Sequence, residues 1–167
     1  MSADVDERWS SVHATALLVG ERGVIVRGPS GAGKSSLALA LIARAGDSAT
    51  FAALIADDRV LLRACGGRLL MRGAAKFAGL IERRGEGIVA VAHEPCAVAR
   101  LVVDLSPRGA APSRLPADDE RFVELLGVRL PRVALDPAHG PLDRACATLE
   151  SLARLGWPAP GRSADFA

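Results

Sequence analysis

A glycine-rich segment, GPSGAGKS at residues 28–35, has the composition and spacing of a phosphate-binding loop. It follows the pattern GxxxxGKS, in which glycines let successive backbone amides turn toward phosphate oxygens. Lys34 is expected to reach the β- and γ-phosphates, and the Ser35 hydroxyl is of the type that ligates magnesium. A surface turn could share these letters, but the motif stands between a predicted strand and a predicted helix, as phosphate binding requires. The predicted nucleotide-binding residues are Gly28, Pro29, Ser30, Gly31, Ala32, Gly33, Lys34, Ser35 and Ser36.

Two adjacent aspartates, Asp57 and Asp58, end the apolar segment FAALIADD, about two dozen residues after Lys34. Such an aspartate either positions magnesium, as in an ATPase, or acts as the general base on an acceptor hydroxyl. Adjacent residues of a strand point to opposite sides, so only one of the two carboxylates is expected to face a nucleotide directly. The residues alone leave both roles open.

The elements around the loop are predicted as strand, loop and helix. HATALLVG and GVIVRG have the apolar character of two strands joined by a tight turn. Helical apolar spacing then begins near Lys34 and runs to Gly46, where a glycine stop is expected. This order supplies the local context that a phosphate-binding loop needs.

The rest of the chain continues with short strands and one more helix. Strands are predicted in FAALIADD, in a hairpin turning at Gly66 and Gly67, in ARLVVDLSP and in GVRLPRVALDP. In LIERRGEGIVAVA a charged loop with glycines precedes another apolar run. Residues 106–121 are rich in Pro, Ala, Gly and charge, which predicts a long loop. LDRACATLESLARLG predicts a helix, ended by Gly156 and Pro158.

Length and composition fit one globular domain. The chain has 167 residues, half of them hydrophobic, and a formal net charge of +2. So small a charge gives no argument for a nucleic acid or membrane partner, and no apolar run approaches the roughly 20 residues that span a bilayer. Cys65, Cys96 and Cys146 are widely spaced, so no zinc site or disulfide framework is predicted and a reducing, cytoplasmic location is expected. We predict a polar tail at 1–12, one P-loop kinase domain at 13–157 and a second tail at 158–167.

The order of four motifs resembles the catalytic domain of the HPr kinase/phosphorylases. His13 opens a predicted strand 21 residues before Lys34, the loop reads GxSGxGKS, a strand ends in ADD, and a later loop reads ERRGEGI. These bacterial enzymes phosphorylate a serine of the phosphocarrier protein HPr, in the regulation of sugar phosphotransferase and carbon metabolism, and can remove that phosphate by phosphorolysis. The resemblance runs from His13 to beyond Arg132 and is to the short, catalytic-domain form. It implies an α/β P-loop nucleotide-binding domain with a mixed, largely antiparallel sheet, of the HPr kinase and phosphoenolpyruvate carboxykinase type.

The resemblance also implies ATP and Mg²⁺ as cofactors and gives roles to single residues. Ser35 with Glu82 would place magnesium. Asp58 would take the proton from the substrate serine, with Asp57 as its close competitor. His13 would lie beside that carboxylate and tune its pKa. Without the resemblance, His13 would be regarded as a surface histidine at a strand end.

Several cationic residues also fall within the pattern. Lys34 would hold the nucleotide phosphates, and Arg84 in ERRGEGI would neutralise charge on the transferred phosphoryl group. Arg114 in PSRLP occupies the place of another catalytic arginine, and Arg132 that of an arginine associated with dephosphorylation. Outside a motif, an arginine would be taken as a solvated surface charge.

Three positions depart from the family pattern. Pro29 and Ser36 stand where acidic residues are usual or frequent, and Glu86 stands where an apolar residue is usual. Ser36 removes a partner that could support a metal ligand, and Glu86 adds negative charge near a phosphoryl site. These departures bear most on the reverse, phosphate-consuming reaction.

Two other functions stay open from the sequence. A P-loop kinase for a small metabolite would need an enclosed acceptor pocket, and one arginine-bearing loop could serve as its lid. A regulatory module that senses ATP without transferring phosphate would need no base, and the two aspartates argue against it. The resembled family forms ring-like hexamers, so a homo-oligomer is expected, with an HPr-type carrier as substrate and no nucleic acid or membrane partner.

Overall fold

The computed structural model describes residues 9–156, which form eleven strands and two α-helices. The helices are α1 (Lys34–Asp47) and α2 (Pro141–Arg154). The strands are β1 (Ser10–His13), β2 (Thr15–Val19), β3 (Arg22–Arg27), β4 (Ala52–Ala56), β5 (Arg59–Cys65), β6 (Arg68–Arg72), β7 (Leu80–Arg83), β8 (Gly87–Ala90), β9 (Cys96–Leu105), β10 (Phe122–Leu125) and β11 (Val128–Leu135). The predicted C-terminal tail and most of the N-terminal one lie outside the described residues.

Nine of the described strands form one sheet. Its order is β1-β5-β6-β9-β3-β2-β4, with β11 also paired to β9 and β10 paired to β11. Between these strands of residues 9–156, the pairs β3–β9 and β9–β11 are parallel and the others are antiparallel. Strands β7 and β8 form a separate antiparallel hairpin. The predicted mixed, largely antiparallel sheet is confirmed.

Two apolar cores cover the two sides of this sheet. On one side α1 packs against α2 and against β2, burying Leu37, Leu41 and Leu152. On the other side β5 and β6 contribute Leu62 and Met71. Replacing a buried leucine such as Leu41 by alanine would cost about 2–5 kcal/mol. Packing of this kind, more than helix propensity, fixes α1 and therefore the loop at its start.

Strand β9 lies in the middle of the sheet, and its residues 101–103 are buried on both faces. Leu101 and Val103 belong to the core on the helix side, and Val102 between them belongs to the opposite core. Burial on both faces explains why these three consecutive residues are all apolar, without polar alternation. Its parallel neighbour β3 leads directly into the phosphate-binding loop.

Helix α1 ends one residue later than the sequence predicts. Gly46 is the predicted stop, but the helix continues through Asp47 and the left-handed residue is Ala49, with φ of 53°. The amide of Thr50 donates to the carbonyl of Ala45 at 2.9 Å, and that of Ala49 to Gly46 at 3.1 Å. These two bonds form a Schellman motif, in which Ala49 occupies the position that glycine usually fills.

The first strand also begins earlier than predicted. The polar tail is predicted to include residues 10–12, and His13 is predicted to open a strand. In the structure Ser10–His13 form β1, which pairs with β5 and places His13 opposite Arg59. Thr15 then starts β2 after a one-residue break. His13 therefore ends a strand, because pairing with β5 and not local apolar periodicity orders the polar segment.

The remaining predicted elements are present, except that the charged loop predicted in LIERRGEGIVAVA begins later, because Glu82 and Arg83 belong to β7. The β5–β6 hairpin turns at Gly66 and Gly67, which both have positive φ. Residues 106–117 contain no strand or helix, and a short 3₁₀ helix at Asp118–Arg121 ends the predicted loop. Helix α2 stops just before Gly156, whose φ is 85°.

A cluster of charges joins the three parallel strands near their carboxyl ends. Asp104 of β9 accepts hydrogen bonds from Arg27 Nε at 2.7 Å and Nη2 at 2.8 Å, and from Arg132 Nε. Burial raises the pKa of the Asp104 carboxyl, but the hydrogen bonds and charges of the two arginines outweigh it and hold that pKa below its usual value. Because Arg27 precedes Gly28 directly, the cluster fixes the start of the phosphate-binding loop.

We expect Asp104→Asn to destabilise the fold by about 2 kcal/mol at pH 7, because it leaves two half-buried arginines without their carboxylate. Since the folded pKa of Asp104 is lowered, its contribution is present above the unfolded pKa and disappears as the pH falls through the folded one. Urea unfolding from pH 7 down toward pH 3 measures both effects. The control Asp47→Asn removes an exposed partner of Arg44 and should change stability by less than about 0.5 kcal/mol. Equal losses in the two variants would contradict the assigned role of Asp104.

Candidate functional site

The phosphate-binding loop connects β3 to α1 and curls through glycines in left-handed conformations. Gly28, Gly31 and Gly33 have φ of 153°, 77° and 94°. At Gly28 a β-carbon would lie 2.9 Å from the carbonyl oxygen of Leu105, so the loop begins in close contact with the end of β9. The conformations match the predicted cradle, which no other residue type could form here without strain.

Lys34 is folded back onto the loop and is 7 % exposed. Its Nζ donates to the carbonyls of Gly28 at 3.0 Å and Pro29 at 3.2 Å, and lies 3.0 Å from His13 Nε2. An ammonium group can only donate, so Nε2 of His13 must accept and the ring proton lies on Nδ1. Lys34 contacts Pro29 only through the backbone carbonyl of that residue. This contact therefore does not depend on the side chain at position 29, where the family usually has an acidic residue.

His13 connects Lys34 to the second aspartate. Its Nδ1 lies 3.1 Å from both the carbonyl oxygen and Oδ1 of Asp58, so the proton on Nδ1 is donated to that residue. The Asp58 side chain is 81 % exposed, whereas that of His13 is 50 % exposed. The predicted proximity of His13 and Asp58 is therefore present, and a polar chain runs from the loop lysine to an accessible carboxylate.

Asp57 is held by three donors from three different elements. It accepts from Thr15 Oγ1 at 2.7 Å, from Ser35 Oγ at 2.9 and 3.1 Å, and from the backbone amide of Glu82 at 3.2 Å. Thr15 is fully buried. Strand β2, helix α1 and hairpin β7–β8 thus converge on one carboxylate, which fixes its orientation at the start of α1.

Both aspartates line the same pocket, although adjacent residues of a regular strand point to opposite sides. The chain is not a regular strand here, because β4 ends at Ala56 and the chain then bends. That only one of the two faces a nucleotide directly stays a prediction. Asp58 has φ of 64°, a left-handed conformation that is uncommon outside glycine, asparagine and aspartate. The bend turns Asp57 toward the start of α1 and Asp58 toward His13.

The pocket has a volume of about 280 Å³ and collects most of the predicted site residues. Its lining residues are His13, Ser30, Gly31, Gly33, Lys34, Ser35, Ser36, Asp57, Asp58, Glu82 and Arg84. Hairpin β7–β8 brings Glu82 and Arg84 to it, although these residues are about fifty positions after the loop in sequence. Three serines, three carboxylates, a lysine, a histidine and an arginine therefore meet beside the phosphate-binding loop.

Two predicted arginines are not in this pocket. Arg114 is exposed on the irregular segment 106–117 and does not line the pocket, so its catalytic role stays a prediction. Arg132 is bonded to Asp104 and donates from Nη1 to the carbonyl of Glu120 at 2.9 Å. Glu86, the added negative charge, lies 3.3 Å from Arg83 Nη1, which partly neutralises it.

Two residues of the site were missed from the sequence. Thr15 lies two residues after His13 and is the one hydroxyl residue in the apolar segment TALLV. A polar residue in an apolar strand was the sequence signal that could have identified it. Arg144 of α2 is 7 % exposed and donates from Nη1 to the Ala32 carbonyl of the loop at 3.0 Å. Burial lowers the pKa of Arg144. No local sequence pattern separates it from the surface arginines of an amphipathic helix.

The residues around Ser35 suit a magnesium ion bound together with phosphates. Within residues 9–156 no group of three or more His, Cys, Asp or Glu side chains could hold a metal alone. Magnesium commonly takes only one or two protein carboxylates and completes its shell with water and phosphate oxygens. The hydroxyl of Ser35 and the carboxylate of Asp57, in direct contact, supply that kind of donor set.

Together the curled glycine loop, the buried lysine and the mixed sheet define a P-loop nucleotide-binding domain of the α/β kinase type. A family model described as HPr Serine kinase C-terminal domain matches residues 7–140. The chain belongs to that family, and the predicted resemblance is confirmed.

Individual relatives agree with this assignment. An HPr kinase/phosphorylase of Azoarcus sp. (strain BH72) is 37 % identical over 141 residues, which are 78 % of this chain and 43 % of the relative. One of Exiguobacterium sp. is 37 % identical over 83 residues, covering 49 % of this chain and 25 % of the relative. The chain thus spans less than half the length of these curated relatives. The solved structure of the Hpr(Ser) kinase/phosphatase from Coxiella burnetii covers 89 % of this chain and 99 % of its own, with a TM-score of 0.71 and 24 % identity, which supports the fold.

Neither helix of the described range, residues 9–156, is long and apolar enough to cross a membrane.

The close approach at Gly28 can be tested by substitution. We expect Gly28→Ala to destabilise the fold by about 3 kcal/mol, because strain at positive φ adds to a clash with the backbone of Leu105. Gly31→Ala is the matched control, since Gly31 also has positive φ but its β-carbon would meet nothing within 4 Å; its loss should be about 1 kcal/mol. Urea unfolding measures the two losses. Similar values for both variants would contradict a loop fixed by contact with β9.

Proposed function

We propose that this chain is an ATP- and magnesium-dependent protein serine kinase whose acceptor is the phosphocarrier protein HPr. The observation that carries the proposal is the separation of two adjacent carboxylates beside a phosphate-binding loop. Asp57 is bonded to Ser35 of the loop, and Asp58 is accessible and bonded to His13. Membership of the HPr serine kinase family and the names of the relatives support HPr as the acceptor.

In the proposed reaction the Asp58 carboxylate takes the proton of the acceptor serine. The serine oxygen then forms a bond to the γ-phosphorus of ATP, and the bond between that phosphorus and the β,γ-bridging oxygen breaks, which leaves phosphoserine and ADP. Lys34 and Arg84 neutralise negative charge on the phosphates. Ser35 and Asp57, with Glu82 close by, would hold magnesium, which would supply positive charge beside the β- and γ-phosphates.

The contact with His13 suits Asp58 to this role. A hydrogen bond from Nδ1 orients the carboxylate, and the chain to Lys34 links its position to the phosphate-binding loop. The same groups would serve the reverse reaction, in which inorganic phosphate attacks phosphoserine to give serine and pyrophosphate. There Asp58 returns the proton to the serine oxygen.

The exposure of Asp58 favours a protein acceptor over a small metabolite. At 81 % exposure the carboxylate stands at the surface, where the acceptor must itself exclude water. A small metabolite needs an enclosing pocket, and a nucleotide sensor needs no oriented base. We also propose a cytoplasmic homo-oligomer, a hexamer by family resemblance; exposed Phe77, Ile88 and Leu142 offer apolar contact surface for it.

The proposal is tested by incubating the protein with ATP, magnesium and the HPr-type carrier of its own genome, then weighing the intact carrier. We expect one added phosphoryl group. Asp58→Asn should slow transfer by about 10²–10⁴-fold while nucleotide binding persists, because it removes the general base. Asp57→Asn should weaken magnesium-dependent nucleotide binding by about 10–100-fold.

The control is Asp47→Asn, at the opposite end of α1, about 20 Å from the loop. It should change neither transfer nor binding. No phosphoryl group on the carrier would refute the proposed function, and full transfer by Asp58→Asn would move the role of base to Asp57 or another group. Excess inorganic phosphate added to phosphorylated carrier tests the reverse reaction through the release of pyrophosphate.

A further inference from the structure

A second pocket lies on the other flank of the phosphate-binding loop. It has a volume of about 430 Å³, within the range of small-molecule sites. We call it the arginine pocket, because Arg84, Arg108 and Arg144 line it and, among residues 9–156, no carboxylate does. It continues into the pocket of the two aspartates, since both are lined by Ser30, Gly31, Gly33, Ser36 and Arg84.

Arg144 is the buried wall of this pocket. Its Nη1 is bonded to the Ala32 carbonyl, and a β-carbon at Gly33 would lie 3.3 Å from the same atom, so the guanidinium rests directly against the loop. Its Nε is buried and has no hydrogen-bond partner within the described range. A buried charged group with an unused donor is costly, and an anion bound beside the loop would satisfy it.

Prolines supply apolar surface to the remaining walls, beside the serines at 30, 36 and 106. Four prolines line the pocket, from the loop, from the segment after β9, from the segment after β11 and from the start of α2: Pro29, Pro107, Pro137 and Pro141. Proline rings offer rigid apolar surface without a backbone donor, which suits contact with the face of a planar ring. Cationic and apolar walls together match a ligand with a phosphate at one end and a ring at the other.

We propose that the arginine pocket holds the α-phosphate and nucleoside end of the donor nucleotide, an inference that rests on nucleotide binding in the proposed function. The γ-phosphate belongs beside Lys34 and Asp57, so a nucleotide lying across the loop must extend over the opposite flank. Arg144 Nε donates to the α-phosphate there, Arg108 contacts the α-phosphate or ribose from the solvent side, and the prolines contact the base.

The test compares the binding of ATP with that of pyrophosphate, which fills only the β and γ positions. Both are measured calorimetrically with magnesium. Arg108 lies on an exposed loop. We expect Arg108→Ala to weaken the binding of ATP at least about tenfold and the binding of pyrophosphate less than twofold. Arg144→Lys keeps the charge but lacks the Nε donor, and it should show the same selective loss. The control is Arg100→Ala, because Arg100 lines a different pocket. This variant should change the binding of neither ligand.

A second measurement does not depend on variant stability. Photo-crosslinking with 8-azido-ATP, competed by ATP, should label residues 106–108 or 137–141. Labelling of the pocket lined by Trp9, Phe77 and Asp57, on the other side of the aspartates, would overturn the inference. So would equal losses for ATP and pyrophosphate, which would make the arginine pocket a general anion site, or no loss for either.

Failure of this inference can be told apart from failure of the proposed function. If the protein binds ATP and the two arginine variants bind it more weakly as expected, but the carrier gains no phosphoryl group, the arginine pocket is supported and the proposed kinase activity is refuted. If the carrier is phosphorylated but Arg108→Ala and Arg144→Lys bind ATP normally, the kinase activity stands and the arginine pocket falls. Absence of any ATP binding overturns both.

Discussion

The carboxylate of Asp57 is the point on which the site depends. Three hydrogen bonds reach it from β2, from the first turn of α1 and from hairpin β7–β8, through Thr15, Ser35 and Glu82. These elements are brought together by the sheet and by the packing of α1, and each contact is worth about 1–3 kcal/mol because the acceptor is charged. The carboxylate thus sets where the helix begins relative to the strand that ends at Ala56. The positions of the loop, of Glu82 and of Arg84 follow from it.

The bend after β4 gives two neighbouring carboxylates different surroundings. Asp57 is directed inward, where it accepts hydrogen bonds from three residues, and Asp58 is directed toward His13 and solvent. A regular strand would have sent the two side chains to opposite faces of the sheet. The left-handed conformation of Asp58 instead keeps both in one pocket at the cost of local strain. This placement suits the function that we propose, in which one carboxylate lies near the metal and the other near the acceptor.

The sequence predicted the parts of the site that are local. The loop motif fixed residues 28–36 and the start of α1, and apolar runs found the strands around them. Contacts between distant segments were not predictable in the same way. Strand β1 depends on pairing with β5, Arg144 reaches the loop from a helix more than a hundred residues later, and Asp104 collects two arginines from separate strands. The end of α1 was also mispredicted. Gly46 was the predicted stop, but the carbonyls of Ala45 and Gly46 accept hydrogen bonds from the amides of Thr50 and Ala49, and Ala49 takes the left-handed position.

The central claim is that Asp57 belongs to the nucleotide side of the site and Asp58 to the acceptor side. The most direct measurement is a crystal structure with manganese in place of magnesium and a non-hydrolysable ATP analogue, in which anomalous scattering locates the metal. Our account predicts the metal about 2.1 Å from Ser35 Oγ, with Asp57 bound to it directly or through one water, and Asp58 free of it. A metal ligated by Asp58, with Asp57 bonded only to Thr15, would contradict the account.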